Sequence, residues 1–436
     1  MGRMSFDTLI TNANLPDGRT GIDIGIREGR ISGIAPGLAA AETTRVIDAR
    51  GRLVSAPFVD CHFHLDATLS LGMNGEYNES GTLAEGIALW ARMAPDLTFE
   101  GYKERARRYF DIAVSQGLLA VRTHVDVTDP DLVAAKALAE IKEEVADYID
   151  LQLVAFPQMG FFCRDTMGDT IRETLDLGFQ VVGGAPHLEK TAELGRASIT
   201  ALCEIAAERG TMVDMHCDEN DDPNSRHVET LVYEAERLGL HDRVTGSHLT
   251  SMHSMDNFYA ARLITRIAAS GINVASNPAV NTHLQGRFDT YPKRRGLTRV
   301  AELMEAGVTV GFAQDCVLDP WYPLGRAALA DVAYIAAHVV HMTSPAGLAA
   351  AFGNVTAAPA EIMKLDHLGL AEGASADLLL HEATSPWEVI RLRAAPRIVM
   401  RRGQVIAETA PSHPVLSLPG RPSGFDPVTY FQGGDA

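Results

Sequence analysis

The chain has 436 residues, is 46% hydrophobic and carries a formal net charge of -18. That length buries a large core and exceeds one ordinary compact domain, so a large domain with a smaller companion is expected. An acidic surface repels phosphate backbones and anionic lipid, which excludes nucleic acid and membrane as expected partners and leaves small neutral molecules.

Over residues 1–56, short alternating runs (TLITNANL, GIDIGIREGRISGIA, TRVIDARGRLVSA) are broken by Asn, Gly and Asp, the pattern of small antiparallel strands joined by turns. The stretch VSAPFVDCHFHLD, residues 54–66, then reads as a strand buried on both faces. Alternation along it puts His62 and His64 on one side and turns Phe63 into the packing. Through residues 57–365 seven further apolar runs follow: LLAVRTHVDV, LQLVAFPQMG, FQVVGGAPH, TMVDMHCDE, DRVTGSHLT, INVASNP and VTVGFAQDC. Each comes after a segment of helical periodicity such as LVAAKALAEIKEEVADY. Eight strand–helix units predict an α/β fold, a closed (β/α)8 TIM-like barrel; the alternative, an open doubly wound sheet, lacks its Gly-rich phosphate fingerprint after the first strand. Residues 366–410 return to the opening style in GLAEGASADLLLHE and RIVMRRGQVIAE. They are expected to join residues 1–56 in a small composite β-sandwich into which the barrel is inserted, with 411–436 an irregular Pro- and Gly-rich tail.

Polar residues gather at one end of the predicted barrel strands. His216 closes TMVDMHCDE with Glu219 just beyond, His248 closes TGSHLT, and Asp315 closes VTVGFAQDC. A barrel brings those C-terminal ends around one mouth. There His62, His64, His216 and Asp315 offer three imidazoles and a carboxylate with one position open, the donor set of a catalytic site for one divalent ion, Zn2+ or Fe2+. His124 and His187 also close strands; structural or supporting roles are favoured for them, with metal ligation the lesser alternative. Five cysteines, Cys61, Cys163, Cys203, Cys217 and Cys316, form no C-x-x-C pair and fit reduced thiols. With no signal-peptide core in MGRMSFDTLI, a cytoplasmic location is expected.

This barrel with its His-x-His, His, His and Asp resembles the amidohydrolase superfamily. Within it, HFHLD, SGTLAEGI, VRTHVDV, LVAFPQMG, DMHCDE, SHLTSMHS, HLQGRFDTYPKRRG and DPWYPLG are similar to the bacterial cytosine deaminase family, over about Thr8 to Glu408. The resemblance implies that His62, His64, His216 and Asp315 hold the metal, Glu219 shuttles protons and His248 supports the attacking hydroxide. It also implies that Gln158 and Trp321 hold a pyrimidine, that the Leu83 backbone lines the pocket, and that the chain forms a homo-oligomer. FQVVGGAPH has no lysine to bridge a second metal, which points to one ion and to deamination. The H-x-E with P-C-x-x-C pattern of base-flipping zinc deaminases is missing, so the expected substrate is a free nucleobase. One departure concerns specificity: the family's second carboxylate on the eighth strand is here Cys316, following Gln314 and Asp315. A thiol is smaller and uncharged. Room for a methyl group at ring position 5 is therefore expected, with 5-methylcytosine and cytosine as substrates. The competing readings are a related deaminase of isoguanine, a pterin or a creatinine-like cyclic amidine, and a non-catalytic barrel scaffold; the intact donor set with Glu219 argues against the scaffold.

Overall fold

The computed structural model describes residues 5–41, 44–412, 414–426, 428 and 430. Its opening strands are β1 (Thr8–Ala13), β2 (Ile22–Arg27), β3 (Arg30–Ala35), β4 (Arg45–Asp48) and β5 (Val54–Ser55). Eight more follow: β6 (Phe58–Phe63), β7 (Leu118–Asp126), β8 (Asp150–Phe156), β9 (Val181–Gly184), β10 (Met212–Cys217), β11 (Val244–His248), β12 (Asn273–Ser276) and β13 (Val310–Phe312). The chain then returns through β14 (Leu378–Leu380), β15 (Ile398–Arg401) and β16 (Gln404–Glu408). The α/β fold class expected from the sequence holds.

Strands β6 to β13 lie side by side in chain order and run parallel, with helices in the crossovers. The ring closes where β13 meets β6. At the mouth the Asp315 amide donates to the His62 carbonyl over 2.9 Å, and the His64 amide to the Asp315 carbonyl over 3.0 Å. Deeper in the seam the strands diverge, and residues 354 and 355 fill the gap: the Phe312 amide donates to the Asn354 carbonyl and the Val59 amide to the Val355 carbonyl. The seam thus leaves no edge strand unpaired, and it brings two expected metal ligands, His64 and Asp315, into backbone contact.

The run from Val54 to Asp66, expected to be one strand, is two. Pro57 has no N–H to give to a ladder, and the chain breaks there. Before the break β5 pairs with β14 in the sheet β16-β15-β14-β5; after it β6 opens the barrel. The other small sheet has the order β3-β2-β1-β4. Both sheets share one apolar core, with Ile10, Ile24, Ile26 and Ile31 from the first packed against Val54, Leu378 and Met400 of the second. β6 also holds one residue more than β7 between Asp60 and Phe63, a β-bulge that includes His62 itself. Phe63 is fully buried and stacks on Tyr109 of the helix Phe99–Ser115, as the alternation required.

Of the expected tail, the described part makes one bridge between Val415 and Gly424, and Asp426 pairs with Arg52; the remainder lies outside the described residues. Among the described residues no helix is long and apolar enough to cross a membrane.

Candidate active site

Every expected ligand sits at the C-terminal mouth of the barrel. His62 lies near the end of β6 and His64 just past it; His216 is on β10 and Asp315 follows β13. His64 Nε2 is 3.2 Å from His216 Nε2. Asp315 Oδ1 is 3.3 Å from His62 Nε2 and 3.5 Å from His64 Nε2. Ligand atoms bound tetrahedrally at about 2.0–2.1 Å from one ion stand about 3.3 Å apart, and these three spacings are of that size, as ligands of one divalent cation require. The orphaned atoms agree: His62 Nε2 is buried with no hydrogen-bond partner, although it faces a carboxylate oxygen. Burial first, then repulsion from neighbouring imidazoles, holds His62, His64 and His216 well below the ordinary histidine range. That is the neutral, ligating form.

Glu219 and His248 complete the cluster. Glu219 is buried, and its carboxyl is pushed up to about 8 by that burial. His248 Nδ1 stands 3.6 Å from Glu219 Oε1 and 4.0 Å from Asp315 Oδ2. Its ring is held by the side-chain amides of Asn281, at 2.9 Å, and Asn277, at 3.2 Å, both from the segment after β12. His248 and Asp315 have φ of 70° and 65°. Left-handed backbone in non-glycine residues costs roughly 1–3 kcal/mol each, and here it aims both side chains into the mouth.

A small cavity opens beside these groups, lined by His64, Leu83, Gln158, His216, Glu219, Val280, Leu284, Asp315, Cys316 and Trp321. All four residues expected to meet substrate are among them. Leu83 is the first residue of the helix Leu83–Met93, whose N-terminus is capped by Thr82. Trp321 is set by Asp319, whose Oδ1 accepts from the Trp321 and Tyr322 amides at 2.9 Å each. Its indole lies against Gly86 so closely that a Cβ there would come within 2.5 Å of the ring. The Cys316 thiol is buried beside Asp315 and Asp319; burial, then those two carboxylates, pushes it well above the usual thiol range and keeps it neutral. Val280 and Leu284 were not foreseen, because the short helix Pro278–Leu284 follows INVASNP as an ordinary apolar turn. His187 supports the site from behind, its Nδ1 donating to the His216 carbonyl at 2.9 Å. His124 is packed under His62, with ring centroids 4.2 Å apart.

A closed parallel barrel carrying buried imidazoles, a carboxylate cluster and an adjoining cavity at its C-terminal mouth defines a hydrolytic enzyme of the barrel class, and the donor set fits a divalent metal. Residues 45–407 match the amidohydrolase family, to which the chain belongs. The structure of 5-methylcytosine deaminase from Klebsiella pneumoniae liganded with 5-fluorocytosine is 42% identical, superposes with a TM-score of 0.91, and matches over 95% of this chain and 100% of that one. Pterin deaminase from Rhizobium rhizogenes is 29% identical over 401 residues, 90% of this chain and 89% of that protein. N-isopropylammelide isopropyl amidohydrolase from Pseudomonas sp. is 28% identical over 414 residues, 92% and 98% of the two chains. The kinship with cytosine deaminase-like amidohydrolases expected from the sequence therefore holds, and with it a hydrolytic deaminase.

Proposed function

We propose that the chain deaminates a free pyrimidine base, 5-methylcytosine and cytosine, to thymine and uracil with release of ammonia. The observation that carries the reading is Cys316: the cavity meets a small neutral thiol next to the carboxylates, where the sequence resemblance places a second aspartate. The 42% identity to a 5-methylcytosine deaminase supports it.

In this reading His62, His64, His216 and Asp315 hold one divalent ion, Zn2+ or Fe2+. Such an ion supplies positive charge that lowers the pKa of water from about 15.7 to near 7. Glu219 takes the proton of the attacking water. Its raised affinity for protons suits that task; it gives this first proton to the ring nitrogen, which keeps it in the product, and then carries the remaining proton of the newly attached hydroxyl to the departing amine. The water oxygen forms a bond to the amine-bearing carbon, the carbon–nitrogen bond breaks, and ammonia leaves. His248, fixed by Asn277 and Asn281, offers polar support beside Glu219. Gln158 presents one donor and one acceptor to the ring's adjacent NH and carbonyl. Trp321, Val280 and Leu284 exclude water from its faces.

The test is a panel read by ammonia release: 5-methylcytosine and cytosine against a pterin, isoguanine, creatinine and N-isopropylammelide. Turnover of the two pyrimidines above the others is expected. A pterin or triazine turned over best, in line with the more distant relatives, would move the assignment to that substrate.

A further inference from the structure

Beneath the candidate metal site a polar chain runs through the barrel interior. His62 Nδ1 is 2.8 Å from Ser247 Oγ, and the Ser247 hydroxyl donates to Asp214 Oδ1 over 2.6 Å. Asp214 Oδ2 accepts from Arg122 at 3.0 Å. Arg122 also donates to Thr245 Oγ1 at 3.1 Å, to Gln152 Oε1 at 2.9 Å and to the Ile362 carbonyl at 3.1 Å. His62, Ser247, Asp214 and Arg122 are all fully buried.

The chain has one direction. A guanidinium only donates, so Asp214 accepts from it, and a carboxylate in that pair accepts again from Ser247. With its proton committed to Asp214, the serine oxygen has only lone pairs left for His62. His62 Nδ1 must therefore carry the ring proton, which turns a bare Nε2 lone pair toward Asp315 Oδ1, 3.3 Å away.

We infer that Ser247 and Asp214 are positioning residues that fix the tautomer and ring plane of His62 before a cation arrives, with Arg122 as the anchor that ties them to the foot of the barrel. This rests on the proposed cation at His62, His64, His216 and Asp315. His216, by contrast, has a buried Nδ1 without a hydrogen-bond partner among the described residues. The relay is thus what this chain invests in the first histidine of the His-x-His pair, and it joins strands β6, β7, β10 and β11 across the interior.

Two measurements test it. In wild-type protein labelled with 15N-histidine and stripped of metal, the His62 proton is expected on Nδ1; a proton on Nε2 overturns the relay without any variant. In the second, zinc affinity is measured by competition with a chromogenic chelator. Ser247→Ala is expected to bind Zn2+ about 10- to 100-fold more weakly, as loss of a partner behind a ligating histidine does, and Ser247→Thr to restore binding. Zinc bound by Ser247→Ala as tightly as by wild type overturns the relay alone. A wild type that takes up no stoichiometric zinc overturns the cation site itself, and the relay with it.

Discussion

At the scale of single residues, the proposed function divides chemistry from selectivity between Glu219 and Cys316. Glu219→Gln keeps the volume and removes the proton carrier, so kcat is expected to fall by about 10²- to 10⁴-fold with the metal content unchanged. Metal analysis beside steady-state kinetics checks both halves; an unchanged kcat would remove Glu219 from the mechanism. Cys316→Asp is expected to favour cytosine over 5-methylcytosine, because a charged, hydrated carboxylate replaces a neutral thiol in the same wall. A methyl group in an apolar pocket is worth about 1–3 kcal/mol, so the kcat/KM ratio should move by about 10- to 200-fold. A ratio equal to that of the wild type would make Cys316 a packing substitution only. Glu219 was legible from its place three residues after a histidine at a strand end, and Cys316 from the resemblance to the cytosine deaminase family, where a carboxylate stands at that position. Asp214 and Ser247 were not. Set one or two residues before His216 and His248, inside strands, they read as ordinary polar alternation, and only the closed barrel shows that they meet across its interior. The left-handed backbone at His248 and Asp315 carried no signal either, since neither position is a glycine.

At the scale of elements, the site depends on how the Leu83–Met93 helix meets the segment after β13. Gly86 lies on that helix against Trp321, where an added Cβ would fall 2.5 Å from the indole. Gly86→Ala is expected to push the indole into the cavity and raise KM for the base, while thermal stability changes little because Ala gains about 1 kcal/mol of helix propensity. A KM equal to that of the wild type would show that the indole has room to give. The eight strands were readable from alternating apolar and helical patterns, and the composite small domain from the return of short turn-broken runs after the barrel. What periodicity did not carry was the break at Pro57 and the bulge between Asp60 and Phe63, because both are departures from regular pairing within one apolar run. Val280 and Leu284 escaped for the opposite reason: an apolar turn beside a strand looks like core wherever it lies.

At the scale of the whole molecule, Asp150, on β8 at the foot of the barrel, pairs with Arg401 at 2.8 Å and His367 at 2.9 Å, and Arg401 pairs with Asp377 at 2.7 Å. These contacts tie the barrel to β15 and the small sheets. Burial raises the Asp150 carboxyl, but Arg401 and His367 outweigh it and hold the group below its ordinary value of 3.8. A depressed carboxyl contributes stability that is present above its unfolded pKa and lost as pH falls through the folded one. Thermal melts should therefore show a wild type that loses stability on acidification below about pH 4, with that component missing in Asp150→Asn. Parallel acid profiles for the two proteins would mean the network does not hold the domains. The homo-oligomer suggested by the family resemblance remains a proposal, for which light scattering should give a multiple of the chain mass and a monomer would contradict it.

All of these scales converge on the proposal that four side chains hold one cation and that a carboxylate moves the proton. The most direct test is ammonia release from 5-methylcytosine by protein of measured metal content, before chelation, after it, and after one equivalent of metal is restored. The expected result is one divalent ion per chain, activity lost with the ion and regained with it; full turnover by the metal-free chain, or none by the loaded one, would contradict the account.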